Sequence, residues 1–194
     1  MKKIFILILF FNLSFTSAYS IESDVFIQST VNRASQILTK DITREEKING
    51  LKIIAKETVD IKGIGFYSLG SARKDLNDSQ KKIYFDLFEG YFLKSFSSRL
   101  SEYTNPKIEV KSKKILNKNY TIVNSVLIST PDRPEVQIDW RVYTKNPDDP
   151  LIRDLIIEGL SLAVAQKAEF TSILNSNDGD INALFKILED FTKN

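Results

Sequence analysis

Apolar positions along the chain change their period twice. Residues from Ser23 to about Tyr103 repeat at helical spacing, Lys107 to about Glu158 alternate or run in short apolar blocks, and Leu160 to Phe191 return to helical spacing. The pattern predicts helices over about Asp24–Leu38, with Val25, Phe26, Val31, Ile37 and Leu38 available for burial, and over about Arg44–Val59. Gly63, Gly65 and Gly70 punctuate a short helical segment carrying Ile64, Phe66 and Leu69. Four strands are predicted at about 107–115, 120–130, 135–144 and 151–158, joined by short links rich in Pro, Asp and Asn. Such links imply an antiparallel meander. The third strand alternates, with Val136, Ile138, Trp140 and Val142 on one face and Gln137, Asp139, Arg141 and Tyr143 on the other. Strands two and four are greasier, so parts of both their faces are expected to be covered. Helices before and after one antiparallel sheet define an α+β fold. Neither a repeat nor a flexible linker divides the chain.

The helix from about Ser79 to Tyr103, with Asn77 or Asp78 as N-cap, has an unusual circumference. Its polar stripe is narrow: Asp86, Gly90, Lys94, Ser97 and Ser101. Around the rest lie Tyr84, Phe85, Leu87, Phe88, Tyr91, Phe92, Phe96, Leu100 and Tyr103. A surface helix buries one stripe, whereas this one needs cover on two sides. It is either a central core helix or one wall of a cavity, and periodicity leaves both open.

Before the first helix stand two lysines, an unbroken apolar run from Ile4 to Phe11, and a small-residue end, Thr16-Ser17-Ala18-Tyr19-Ser20. This is the layout of a secretory signal peptide, with a cut between Ser20 and Ile21 or after Ala18. The apolar run is too short to span a bilayer. The competing role is an uncleaved anchor, but no further apolar stretch lengthens it, and no cysteine near the junction allows a lipid anchor. Removing residues 1–20 takes two of 27 basic residues and no acidic one, leaving 25 of each sign over 174 residues. The neutral balance lacks a nucleic-acid footprint, and the length suits one domain, residues 21–194. Cysteine and histidine are both absent. That removes disulfides, Ser-His-Asp and Cys-His nucleophiles, and the usual zinc, haem and iron–sulfur ligands. No catalytic or metal site and no cofactor is expected.

Several stretches together carry a resemblance. Asp154-Leu155-Ile156-Ile157-Glu158-Gly159-Leu160-Ser161-Leu162, followed by Phe170 and Ile173-Leu174, resembles the strand-to-helix hallmark of the MlaC family. In the same order as that family come Leu69-Gly70, then Ser79-Gln80 and Tyr84-Phe85, Tyr91, Tyr103, and a strand pair around Val126–Ser129 and Val136–Arg141 with a Pro-containing turn. The likeness runs from about Asp24 to Phe191. Departures are Asp148-Asp149-Pro150, where relatives often place an aromatic, Lys167 where arginine is common, and Ala72-Arg73 after the Leu-Gly pair.

The resemblance implies a soluble, monomeric periplasmic phospholipid carrier. It would shuttle lipid between an outer-membrane lipoprotein complex of the MlaA type and an inner-membrane ABC-transporter complex of the MlaD type. The implied fold is a strongly curved antiparallel sheet of four or five strands wrapped by N- and C-terminal helices, with acyl chains held between them. Candidate lipid-contacting residues are Phe66, Leu69, Phe88, Phe92, Phe96, Val126, Ile128, Ile138, Trp140, Val142, Ile156 and Leu162. Core packing is the competing role of each. Two other classes stay open: a small enzyme with a conical pocket and a buried carboxylate base drawn from Asp139, Asp154 or Glu158, and a ligand-free envelope adaptor. Asp139 falls on the wet face, and Glu158 beside Gly159 is placed to accept N–H groups at a helix start.

Intact cells are expected to hold a processed form starting near Ile21, released with the periplasmic fraction. Sequencing the mature N-terminus checks this, and membrane-bound protein retaining Met1 to Phe11 would overturn it.

Overall fold

In a computed structural model, residues 21–193 are described; the expected signal peptide, residues 1–20, lies outside them. Three helices come first, α1 (Ser23–Thr39), α2 (Arg44–Thr58) and α3 (Ile61–Ser68), followed by a short 3-10 turn at Ala72–Lys74 and the long α4 (Asp78–Leu100). Local signals set their starts. Thr43 and Glu46 form a capping box at α2, and Asn77 and Gln80 form another at α4, so side chains satisfy N–H groups that a helix start leaves unpaired.

Five antiparallel strands follow in the order of the chain: β1 (Ile108–Asn117), β2 (Tyr120–Leu127), β3 (Val136–Tyr143), β4 (Leu151–Ile157) and the two-residue β5 (Leu160–Ser161). The chain ends in α5 (Leu162–Asn175) and α6 (Ile181–Lys193). Among the described residues no helix is long and apolar enough to cross a membrane. The meander and the flanking helices agree with the α+β expectation, with β5 added. A tight hairpin makes that addition: Glu158 and Gly159 both have positive φ, which suits a two-residue loop between right-twisted strands. The left-handed Glu158 is held by bonds to Gln137: its N–H donates to the Gln137 carbonyl, and its carboxylate accepts the Gln137 N–H. The expected role of Glu158 at a helix start is thus corrected, because β5 intervenes.

Register decides which side chains face the helices. Thr121, Val123, Ser125 and Leu127 of β2 pair with Val142, Trp140, Ile138 and Val136 of β3, forming one face. On the other, Asn124 bridges Ser112 and Asp139 through side-chain hydrogen bonds of 3.0 and 2.8 Å. Val126 pairs with Gln137 and so belongs to this opposite face. In β4 the pairing jumps from Val142–Ile152 to Arg141–Asp154, skipping Arg153. A bulge adds one residue and inverts the alternation beyond it. Leu155 and Ile157 therefore share the face of Trp140 and Ile138, while Ile156 pairs with Asp139 and turns away.

The polar stripe expected on α4 is only partly wet. Helix α6 buries Ile181, Leu184, Phe185 and Leu188 and packs on α4, where Gly90 admits Thr192. Lys94 donates to the Thr192 carbonyl at 3.3 Å and lies over the Phe191 ring, and buried Ser97 donates to the Leu93 carbonyl. On another side, Gly65 lets α3 approach α4: a β-carbon there would meet the Phe88 ring at 2.7 Å. Buried Tyr84 donates to the Gly65 carbonyl at 2.8 Å, and burial holds its phenol pKa far above the ordinary value.

The corner between α2 and α3 docks on β4. Val59 bridges Ile152, the Asp60 N–H donates to the Ile152 carbonyl, and the Asp60 carboxylate caps α3 through the Gly63 N–H at 2.8 Å. The same carboxylate accepts from Arg153 Nε at 2.6 Å, and the Arg153 guanidinium also meets the Tyr120 hydroxyl and lies over the Tyr143 ring. Asp60→Ala is expected to cost about 2–3 kcal/mol, from a lost cap and a stranded, half-buried guanidinium. Asp60→Asn, which keeps an acceptor for α3, should cost roughly half as much. Urea denaturation of both variants measures this, and a wild-type midpoint for Asp60→Ala would show that the corner is held elsewhere.

Candidate functional site: a divided apolar interior

Between the helices and the inner face of the sheet lie two adjoining cavities. The first, about 130 Å³, is bounded by α1, α2, the end of α4 and strands β1 to β4. The second, about 320 Å³, is bounded by α3, α4, β3, β4 and α5. Val59, Phe96, Trp140, Ile152 and Leu155 line both and form the wall between them. The larger volume lies within the roughly 300–1,000 Å³ of ordinary ligand pockets.

The first cavity offers a guest almost nothing polar. Its Thr and Ser hydroxyls are committed to backbone carbonyls: Thr30 to Phe26, Ser35 to Pro106 and Thr58 to Ile54, at 2.8 to 2.9 Å. Trp140 presents carbon to both cavities because its polar end is engaged. Its Nε1 donates to Ser125 Oγ at 2.8 Å, which in turn donates to the Ile138 carbonyl. Opposite stands the aromatic ladder of α4, where Phe92 and Phe96 stack with centroids 5.5 Å apart and Phe88 lies 6.2 Å from Phe92.

The second cavity is mostly apolar within, with buried Asp154 and half-buried Ser95 among its lining, and carries charge at its edge, where exposed Arg99 and Glu169 meet solvent. A hydrogen-bonded chain runs along this edge: Tyr91 donates to Gln166 Oε1 at 3.2 Å, and Gln166 Nε2 donates to Glu169 Oε2 at 2.8 Å. Burial, then the nearby Glu169 charge, raises the Tyr91 pKa. The phenol therefore stays a donor at neutral pH.

Six of the twelve candidate residues line this interior. Phe88, Phe92 and Leu162 face the second cavity, Ile138 the first, and Phe96 and Trp140 both. The other six lie outside both linings. Leu69 and Val142 are core residues, and Val126 and Ile156 sit on the opposite sheet face. Ile128 follows β2, its N–H donating to the Lys107 carbonyl. Phe66 is 42% exposed beneath the Arg73 guanidinium. Sequence reasoning missed Val59, Ile152 and Leu155, and the α1 and α2 residues Val31, Leu38, Leu51 and Ile54. Only the strand alternation could have pointed to Leu155, and the bulge conceals it.

The three carboxylates considered as a base are engaged in structural bonds. Asp139 accepts from Asn124, and Glu158 from the Gln137 N–H. Buried Asp154 accepts the Ser161 hydroxyl at 2.7 Å and the Ala163 N–H at 3.0 Å, with Arg141 4.0 Å away. Asp154 thus takes the helix-start role expected of Glu158.

These features define an α+β protein whose helices and sheet enclose a divided apolar interior. The model of the MlaC protein family matches residues 28–190, and the chain belongs to that family. No curated protein sequence matches it. Among solved structures, a phospholipid-binding protein from Ralstonia solanacearum, determined in complex with a phospholipid, is similar in fold: TM-score 0.74 at 17% identity, covering 89% of this chain and 98% of that one.

Wall and core should separate on truncation. Phe170→Ala, in the Tyr84–Phe88–Phe170 cluster and outside both linings, is expected to cost about 3–5 kcal/mol. Phe92→Ala, whose ring already borders empty space, should cost less than half of that in ligand-free protein. Chemical denaturation of the two variants decides, and equal losses would return Phe92 to the core.

Proposed function

We propose that residues 21–194 form one phospholipid-binding domain that works in the periplasm as a lipid carrier. In this reading it receives and delivers phospholipid at an outer-membrane lipoprotein complex of the MlaA type and an inner-membrane ABC-transporter complex of the MlaD type. The observation that carries the reading is the divided apolar interior, about 320 Å³ on one side of the Phe96–Trp140 wall and about 130 Å³ on the other. Family membership and the phospholipid bound by the protein of similar fold support it. They favour a binding protein over an enzyme, as does the structural engagement of Asp139, Asp154 and Glu158.

A carrier must hold lipid without trapping it. Taking one acyl chain of about sixteen methylenes out of water is worth on the order of 13 kcal/mol, so two chains approach the ceiling of non-covalent affinity. Transfer from a bilayer is different: the tails pass between two apolar media, and the net free energy stays near zero. An interior lined mainly by Phe, Leu, Ile, Val and Trp resembles the bilayer's hydrocarbon. A dry protein wall adds no polar contact that would hold the tails.

Trp140, the one tryptophan of the chain, lies between the two cavities and reports on them. Delipidated protein loaded from vesicles of phospholipid brominated along its acyl chains should lose most of its tryptophan emission, and unbrominated lipid should not quench. Lipid recovered in stoichiometric amount by solvent extraction without quenching would place it outside this interior. Extraction yielding no phospholipid would favour the adaptor, and a small polar metabolite would revive the enzyme. Transfer of labelled phospholipid between two vesicle populations, at a rate proportional to protein concentration, tests the carrier step.

A further inference from the structure

The two cavities open differently. Of the residues around the first, only Tyr103 is exposed, whereas the edge of the second carries one exposed cation and one exposed anion, Arg99 and Glu169. Among the described residues neither forms an ion pair, with the other or with any third group. Glu169 is oriented all the same. The Tyr91–Gln166–Glu169 chain holds one carboxylate oxygen and leaves the second free of protein donors among the described residues.

Arg99 follows Phe96 by three residues and Ser95 by four, so all three share one side of α4. Apolar wall thus gives way to cation over about one helical turn, a rise of roughly 5 Å. An amphiphile whose tails lie against Phe92 and Phe96 has its first polar groups at Arg99.

We infer that this edge is a headgroup site matched to a zwitterionic phospholipid, with Arg99 taking the phosphodiester and Glu169 the headgroup ammonium. The inference rests on the carrier reading. A guanidinium suits a phosphate geometrically, through paired N–H donors. The carboxylate supplies discrimination: it attracts an ammonium, whereas an anionic headgroup with no cation brings only its phosphate charge toward Glu169. Because the edge is exposed, the preference is modest, about two- to fivefold, the range an exposed charge pair supplies.

The test presents both headgroups in one membrane. Delipidated protein is incubated with vesicles of equimolar phosphatidylethanolamine and phosphatidylglycerol of identical acyl chains, re-isolated, extracted and analysed by mass spectrometry. Wild type should be enriched in the ethanolamine lipid about two- to fivefold over the vesicle. Glu169→Gln should bring the ratio near the vesicle's, and Glu169→Lys should carry it past, toward the glycerol lipid. Glu135→Lys, an equal charge change at an exposed site distant in sequence from this edge, should keep the wild-type ratio. A wild-type ratio equal to the vesicle's at full loading would overturn the headgroup site and leave the carrier reading standing. So would an equal shift from Glu135→Lys and Glu169→Lys. Wild type that takes up no lipid at all would instead overturn the carrier reading, and this inference with it.

Discussion

An apolar interior stays open only if something prevents the helices from closing onto the sheet, since protein interiors otherwise pack to crystal-like density. Here the Asp60 carboxylate is central to that restraint. It caps α3 and pairs with Arg153, while its own N–H and the neighbouring Val59 fasten the chain to Ile152 of β4. From this fixed corner α3 carries Gly65, whose missing β-carbon seats the Phe88 ring, so α4 is set at a height defined by α3. Helix α6 covers α4 from another side through Gly90 and Lys94. The aromatic ladder is held by backbone and polar contacts at its borders, and its middle faces the sheet across the cavities.

Arg153 has a second consequence. As the extra residue of the β4 bulge it reaches Asp60 and the Tyr143 ring, and its insertion shifts the alternation so that Leu155 joins Trp140 on the inner face. One inserted residue thus supplies both the tether and the wall. Without the inversion, Ile156 would face inward, and the buried Asp154 would lose its position against Ser161 and Ala163. This is why the Asp154-to-Leu162 stretch, part of the family resemblance, reads as structural: directly after the bulge it encodes a positive-φ hairpin and a helix start in nine residues.

How much of this was legible depends on range. Period-2 alternation in β3 and the cap at Asn77 act over a few residues, so the strand faces and that helix start follow from the chain itself. The aromatic circumference of α4 announced that it needed cover on two sides. Which residues were covered was not legible: Gly90 and Lys94 read as part of a polar stripe until α6, more than eighty residues later, packs there. The bulge hides for a different reason, because an apolar block such as Leu155-Ile156-Ile157 satisfies either register equally well. Val126 and Ile156 were placed inside on hydrophobicity alone, and pairing with Gln137 and Asp139 puts them outside.

The apolar wall also limits what the interior can distinguish. A hydrophobic pocket separates guests differing by one methylene by only about 1–3 kcal/mol, and less when the chain is flexible and the competing medium is a bilayer. In the proposed carrier, Phe92, Phe96, Ile152 and Leu155 would supply a place for tails without fixing their identity. Charged groups add a modest discrimination of their own even where they meet solvent. In this molecule such groups accumulate at one edge, between the end of α4 and the start of α5, where Arg99, Tyr91, Gln166 and Glu169 meet. In the proposed carrier, a tolerant interior would keep release of the tails nearly isoenergetic, and the charged edge would add the preference for one headgroup over another.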